Sequence, residues 1–362
     1  MRAAVLREAG RLVVEEIDVP VPGPGEVRVR LRATGVCHTD RTVVEGGMPV
    51  PLPVVLGHEG AGVVDAVGAG VTDLATGEHV VLTITPGCGM CRQCQLGAFA
   101  LCEVAAPHLL DGRLPSGQRR LTRGAEQLNH FAMQSSFAEY AVVDRRAAVR
   151  VPADVPLEVA CLTACGVSTG FGAVVIRAGV EVGETVLVIG AGGVGLAAVL
   201  GAVTVGAGQV IVADRSVAAC RLAVDLGATD AIVVDDDTDL TARVRALTGG
   251  GVDAAIDAVG TPSTVAAAFT ALRKGGRAVV VGVADPRAQV TIPLYHLIDQ
   301  RVLTGSTNGS IRPHIDIPRI LGLYRAGRLP LDRLITRRYP LADIGQAMAE
   351  LGVRPGRAVI TF

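Results

Sequence analysis

The chain has 362 residues, 49% of them apolar, with 45 glycines, no tryptophan and a formal net charge of −1. That length accommodates two domains with a full core each, and the balanced charge, spread without a basic face or polybasic run, argues against nucleic acid or an anionic membrane as partner. No apolar stretch of about 18 residues escapes turn breakers and the N-terminus has no signal-like apolar segment, so the expectation is a cytoplasmic enzyme acting on a small molecule, with its eight cysteines serving metal or catalysis rather than disulfides.

Residues 1–165 carry short alternating apolar runs, "AAVL", "LVVEEI", "EVRVRLRATGV", "GAGVVDAVG", "EHVVLTI" and "FAEYAVV", separated by clusters such as "PVPGPGE". This predicts a β-rich domain of short antiparallel strands. Its first turn, "GVCHTD", puts Cys37, His38, Thr39 and Asp40 side by side, and "GHEGAG" adds His58 and Glu59. The lobe at 86–103 holds Cys88, Cys91, Cys94 and Cys102 as C-x2-C-x2-C-x7-C. Four thiolates on one short lobe can close a tetrahedron around zinc with no open position, a structural site. A redox pair or an iron–sulfur ligand run is the competing reading.

"LTACGVSTGFGAV" then supplies Cys165. With Cys37 and His58 it makes a Cys2His set with one open position, the donor set of a catalytic zinc. Taken singly these residues carry little: Cys161, four positions earlier on the same expected helix, and Cys220 read as core thiols, and His79, His108, His130, His296 and His314 as ordinary satisfied histidines.

From 166 onward the pattern changes. "TVLVIG", "QVIVAD", "DAIVVD", "VDAAIDAVG", "GRAVVVGV" and "RVLTGST" alternate with Ala- and Leu-rich helical segments. Continuous apolar strands separated by helices indicate a parallel sheet covered on both faces, a doubly wound dinucleotide-binding domain over 166–307. "IGAGGVG" gives Gly190-x-Gly192-x-x-Gly195 between the first strand and its helix, and Asp214 ends the next strand 19 positions after Gly195. The first glycine permits the turn, the second admits a pyrophosphate, and the third lets helix and strand pack closely. Asp214 favours NAD by accepting the ribose hydroxyls, while Arg215 beside it leaves adenine stacking or a 2′-phosphate open. The acidic "VDDDTD" reads as a solvated turn, and 308–362, ending in "RAVITF", returns to the first domain.

Together "GVCHTD", "GHEGAGVV", the four-cysteine lobe, "CGVSTGFGA", "GAGGVG" and "RAVITF" resemble, in order and spacing, the zinc-dependent medium-chain alcohol dehydrogenases. The resemblance implies a GroES-like catalytic domain (1–165 and 308–362) around a Rossmann domain. It also implies catalytic zinc on Cys37, His58 and Cys165, with Glu59 as an exchange or supporting ligand and Asp40 orienting His58. Zinc then lowers the pKa of the bound alcohol, hydride passes to nicotinamide, and Thr39 takes the first proton. The family's relay histidine three residues on is here Thr42, which leaves the proton's exit to water. His38 and Arg357 match pyrophosphate contacts, His38 either as a pH-sensitive cation or as a neutral donor. Thr169, Gly193, Val194 and Val283 match other cofactor positions.

Pocket positions carried over are Met48, Ile84, Phe131, Ala132 and Val283, all apolar, which suits a hydrophobic or aromatic alcohol or aldehyde. Met48 and Ala106 stand where charged residues would hold a glutathione adduct, and a mycothiol adduct stays open. The resemblance further implies a homodimer joined near Val302–Ser306, with a long loop over Glu103–Ser136 typical of dimeric rather than tetrameric relatives. Two alternatives remain at this stage: an NAD(P)H-dependent reductase of an activated C=C or C=N bond, and a non-catalytic NAD-binding protein.

Overall fold

The computed structural model describes all residues from Met1 to Phe362. The strands, in chain order, are β1 (Arg2–Glu8), β2 (Arg11–Glu16), β3 (Glu26–Gly35), β4 (Val54–Val55), β5 (Gly60–Val67), β6 (His79–Leu82), β7 (Leu121–Arg123), β8 (Glu126–His130), β9 (Tyr140–Asp144) and β10 (Ala148–Arg150). Six more follow as β11 (Thr185–Ile189), β12 (Gln209–Asp214), β13 (Asp230–Val233), β14 (Val252–Asp257), β15 (Leu272–Val280) and β16 (Val302–Gly305), and the tail adds β17 (Ile335–Pro340) and β18 (Arg357–Thr361). Four helices matter for the site: α1 (His38–Val44), α2 (Gly166–Gly172), α3 (Gly193–Val205) and α4 (Pro313–Arg325). No single helix is long and apolar enough to cross a membrane.

The first part of the chain is a GroES-like β domain of two sheets, ordered β2-β1-β4-β8-β7 and β10-β6-β5-β3-β18-β17, with β9 also on β3. β3 is long enough to serve two neighbours along one edge, β9 along Glu26–Arg30 and β18 along Ala33–Gly35. The tail therefore closes back on the first domain through β18. Pairing is mostly antiparallel as expected, but β4–β8 and β17–β18 run parallel, because each pair is joined by a long excursion rather than a hairpin. The segment expected as a long loop contains a hairpin, β7–β8, turned at Gly124 with φ +58°.

The second sheet system is all parallel in the order β13-β12-β11-β14-β15-β16, the doubly wound arrangement with its switch point between β11 and β14. Its central strands are Val- and Ile-rich and buried on both faces, as a sheet covered by helices on either side requires. One continuous apolar core runs from Val81 and Leu162 through Val188 and Leu196 to Ile320 and Leu334. The cleft between the two sheet systems is thus held by a shared core. The helix expected to carry both Cys161 and Cys165 is broken: Cys161–Ala164 is a 3-10 turn, Cys165 adopts φ −139°, ψ −71°, and α2 starts at Gly166. Cys161 is fully buried, as a core thiol.

Candidate functional site

The first cluster is assembled from three segments that meet under the cleft. Cys37 caps the N-terminus of α1, His58 and Glu59 precede β5, and Cys165 occupies the break before α2. Their ligand atoms all lie within 4.8 Å of one another. Asp40 ties two of the segments together, accepting from the Gly57 and Cys37 amides at 3.0 and 3.3 Å and from His58 Nδ1 at 3.1 Å. That hydrogen bond fixes the imidazole tautomer and leaves Nε2 for a metal. Phe131 braces the same ring edge-on at 5.6 Å between centroids.

Charge in the cluster favours a cation. Cys37 is held well below the usual thiol range by its hydrogen bond with Cys165, and that same bond, together with burial, pushes Cys165 up. Burial opposes a charge on His58, but Asp40 and Cys37 outweigh it and raise the imidazole. Two thiols, Cys37 buried and Cys165 half-buried, competing for a proton beside an imidazole are a donor set that zinc satisfies better than protons do. Glu59, fully buried, accepts from the Gly166 amide at 2.9 Å and pairs with Arg357. Desolvation raises its carboxyl against the pull of Arg357.

In the lobe, Cys88, Cys91, Cys94 and Cys102 form the second such cluster. Sγ–Sγ separations of 4.0 Å, Cys88 to Cys94 and Cys91 to Cys102, are close to the edge of about 3.8 Å of a tetrahedron with Zn–S bonds near 2.3 Å. Backbone amides of Cys91 and Met90 donate to the Cys88 sulfur at 3.2 and 3.4 Å and bring that thiol down to about 6. Burial pushes Cys94 up to about 12, so a metal is needed to hold all four as thiolates. Both clusters fit zinc, one built of four thiols and the other of two thiols, an imidazole and a carboxylate.

The dinucleotide loop meets the cleft at α3. Gly190 has φ +92°, a backbone open to glycine. A Cβ at Gly192 would meet nothing within 4 Å, leaving the space a phosphate needs, while one at Gly195 would lie 1.7 Å from the Gly190 carbonyl oxygen. Asp214 accepts from the Ala191 and Ser216 amides at 2.6 and 2.7 Å. The cleft, about 360 Å³, is lined by His38, Thr39, Thr42, Gly190–Gly195, Asp214 and Arg357. The buried Arg357 Nε has no partner within the protein and its side chain lies against Gly193, so the donors fit a bound pyrophosphate. Arg215 does not line the cleft; it is 79% exposed on its side chain and faces Asp236 at 3.6 Å. Sequence reasoning missed the segment Leu351–Gly356, which forms the opposite wall; no periodicity marks it.

A second cavity of about 360 Å³ adjoins the first, with Met48, Ile84, Phe131, Ala132, Thr169 and Val283 in its wall together with Cys37, His58 and Cys165. Leu109, Leu110 and Asn308 also line it and were not foreseen, because they come from irregular turns. Of the histidines set aside, His130 is buried and pulled down to about 3 by desolvation, its Nε2 accepting from the Arg120 amide at 3.0 Å; contrary to expectation, its Nδ1 and that of His79 have no partner within the protein.

Fold and clusters together define a zinc-binding dehydrogenase, and comparison with known proteins gives the same class. Residues 23–153 match the alcohol dehydrogenase GroES-like domain and residues 193–323 the zinc-binding dehydrogenase domain. The chain is 38% identical over 357 residues to the NDMA-dependent alcohol dehydrogenase of Amycolatopsis methanolica, covering 97% of this chain and 95% of that protein. It is 40% identical over 351 residues to the geraniol dehydrogenase of Castellaniella defragrans, covering 96% and 93%. The solved benzyl alcohol dehydrogenase of Acinetobacter calcoaceticus superposes with a TM-score of 0.94 at 34% identity, over 100% of this chain and 99% of that one. The chain belongs to the zinc-binding medium-chain alcohol dehydrogenase family, and is an alcohol dehydrogenase with zinc as its metal.

Proposed function

We propose that the protein interconverts a hydrophobic or aromatic primary alcohol and its aldehyde, with NAD(H) as hydride carrier, in a catalytic domain formed by 1–165 and 308–362 around a Rossmann domain at 166–307. The observation that carries this reading is that the two cavities share Cys37, Thr39, Val194 and Val283, so a substrate on the cluster side and a nicotinamide on the cleft side would meet face to face. Cys37, His58 and Cys165 would hold the catalytic zinc, with Glu59 behind it, and Cys88, Cys91, Cys94 and Cys102 the structural one. Bound there, the metal supplies Lewis acidity toward the substrate oxygen and the dinucleotide accepts or donates the hydride.

The chain's own residues do the rest. Thr39 Oγ1, 3.7 Å from Cys37 Sγ, takes the hydroxyl proton of the substrate as it passes its own proton on. Thr42 donates to the His38 carbonyl at 3.0 Å, and its hydroxyl takes up no further proton near neutral pH, so the proton leaves through water in the cleft. Thr169, Val194 and Val283 orient the nicotinamide ring, His38 and Arg357 the pyrophosphate. Met48, Ile84, Phe131 and Ala132 supply an apolar wall that excludes charged substrates and water. The names of the geraniol and benzyl alcohol dehydrogenases among the relatives agree with such a wall. Initial rates of NADH consumption with benzylic, terpenoid and medium-chain aldehydes test the reading; reduction of activated alkenes or imines with no turnover of any aldehyde would replace it.

Asp214 favours NAD, since its carboxylate stands where a 2′-phosphate would lie and Arg215 points away. Asp214→Ala is expected to raise KM for NAD by roughly tenfold, the worth of about 1.5 kcal/mol for a charged hydrogen bond, and to narrow the preference over NADP. An unchanged ratio of kcat/KM for the two cofactors would contradict this assignment.

A homodimer is also proposed, with β16 as its seam. β16 is the outer strand of the parallel sheet, and Val302 on it and Leu294, Tyr295 and Ile298 in the segment leading into it are 50–77% exposed. An uncovered apolar edge of this kind calls for a partner. Sedimentation is expected to give twice the mass of one chain, and Val302→Lys to shift the protein toward monomer.

A further inference from the structure

Asn308 sits in the turn between β16 and α4 and is 4% exposed. It is the first of three consecutive residues in the left-handed region, with φ +47°, +67° and +55° at Asn308, Gly309 and Ser310. Such a run is held only where its surroundings over-determine it. Here the turn lies flat on α2: a Cβ at Gly309 would be 2.0 Å from the Ser168 carbonyl oxygen, and one at Gly172 would be 2.4 Å from the Gly309 carbonyl oxygen. The close approach aims the Asn308 amide into the floor of the substrate cavity.

That amide joins three separate segments. Nδ2 donates to Thr85 Oγ1 at 3.1 Å, just beyond β6 of the catalytic domain, and Thr85 is in turn 3.2 Å from Thr83 Oγ1. Oδ1 accepts from Thr169 Oγ1 at 3.4 Å, on the helix that follows Cys165. Every member of this chain is buried. A buried, fully partnered polar chain in an otherwise apolar wall fixes geometry rather than merely filling space.

We propose that Asn308 is a positioning residue for hydride transfer. It holds the Thr169 hydroxyl in one rotamer from behind and locks the catalytic domain to the Rossmann exit turn, so that the nicotinamide face stays at a fixed distance from the metal cluster. The inference rests on the proposed contact between Thr169 and the nicotinamide.

The test uses the zinc-loaded full chain and a double-mutant cycle of Asn308→Gly and Thr169→Val. Glycine keeps the left-handed backbone unstrained while removing the amide, and valine keeps the volume of threonine without its hydroxyl. Three quantities are read: NADH affinity by fluorescence, kcat/KM, and the primary deuterium isotope effect on kcat with a deuterated alcohol. A displacement on the order of 1 Å costs up to about 100-fold in rate. Asn308→Gly is therefore expected to lose roughly 10- to 100-fold in kcat/KM, with a raised isotope effect. The double variant should be no worse than the poorer single one, because both act through one hydroxyl. If Thr169→Val leaves NADH affinity and kcat/KM unchanged, the underlying contact is wrong. If Thr169→Val is impaired while Asn308→Gly matches the wild type, or if the two losses add in full, Asn308 has no positioning role. An impaired Asn308→Gly with an unchanged isotope effect likewise contradicts the proposal, since loss of stability alone does not alter the hydride step.

Discussion

Cys165→Ala is expected to give a folded protein that retains one zinc per chain, in the lobe, and has lost on the order of 1000-fold in kcat/KM. The estimate follows from removing a Lewis acid worth several kcal/mol of transition-state stabilisation, with each 1.4 kcal/mol equal to a factor of ten. The fold should survive because Cys165 lies in a break between helical segments and the core around it is carried by Leu162, Val167 and Phe171. Zinc content by elemental analysis and kcat/KM are measured on the same sample. Full activity at one zinc per chain would remove Cys165 from the metal site. The matching change in the lobe, Cys94→Ala, should instead lower stability more than chemistry, because that cluster is closed and lies apart from both cavities.

Gly195→Ala is expected to produce the largest loss of stability from a single methyl group. Its Cβ would stand 1.7 Å from the Gly190 carbonyl oxygen, a backbone atom that cannot rotate away. α3 must therefore lift from β11, or the turn at Gly190 must open. Overpacking of this kind costs about 1–3 kcal/mol and more when backbone is the obstacle. The displaced helix would also carry the N–H groups of the phosphate cradle out of place. A melting temperature lowered by several degrees together with a weaker Kd for NADH is the expected pair of results. Gly192→Ala is the control: its Cβ meets nothing within 4 Å, so stability should hold while cofactor affinity falls, since the methyl group occupies space left for the pyrophosphate.

These two glycines illustrate what was legible in the chain. The motif Gly190-x-Gly192-x-x-Gly195 is local, and its three distinct steric roles could be read from spacing alone. The parallel sheet was equally readable, because burial on both faces of its central strands leaves apolar runs such as Val186–Ile189 and Val210–Ala213. The lobe cysteines lie close in sequence and declare their own cluster.

The catalytic cluster is different. Cys37, His58 and Cys165 are separated by 21 and 107 positions, and only a known family pattern joins them before the fold does. The β7–β8 hairpin carried a signal, Gly124 between "RRLTR" and "EQLNH", that its polar content obscured. Leu351–Gly356 and Asn308 had none. Their importance arises from backbone placement, a wall against the cofactor loop and a left-handed turn against α2, and neither periodicity nor residue type announces such a position.

In the proposed arrangement, two adjoining cavities with a shared wall bring an apolar alcohol at the Cys37–His58–Cys165 cluster against the nicotinamide. The most direct measurement is the transfer of deuterium from a 1,1-dideuterated benzylic or terpenoid alcohol to NAD by the zinc-loaded enzyme, read by mass spectrometry of the NADH formed. Stoichiometric deuterium is expected in the reduced cofactor, with the rate of transfer lowered on the order of 1000-fold when the catalytic zinc is removed by Cys165→Ala. Deuterium transfer that persists undiminished in that variant, or alcohol oxidation with unlabelled NADH, would contradict it.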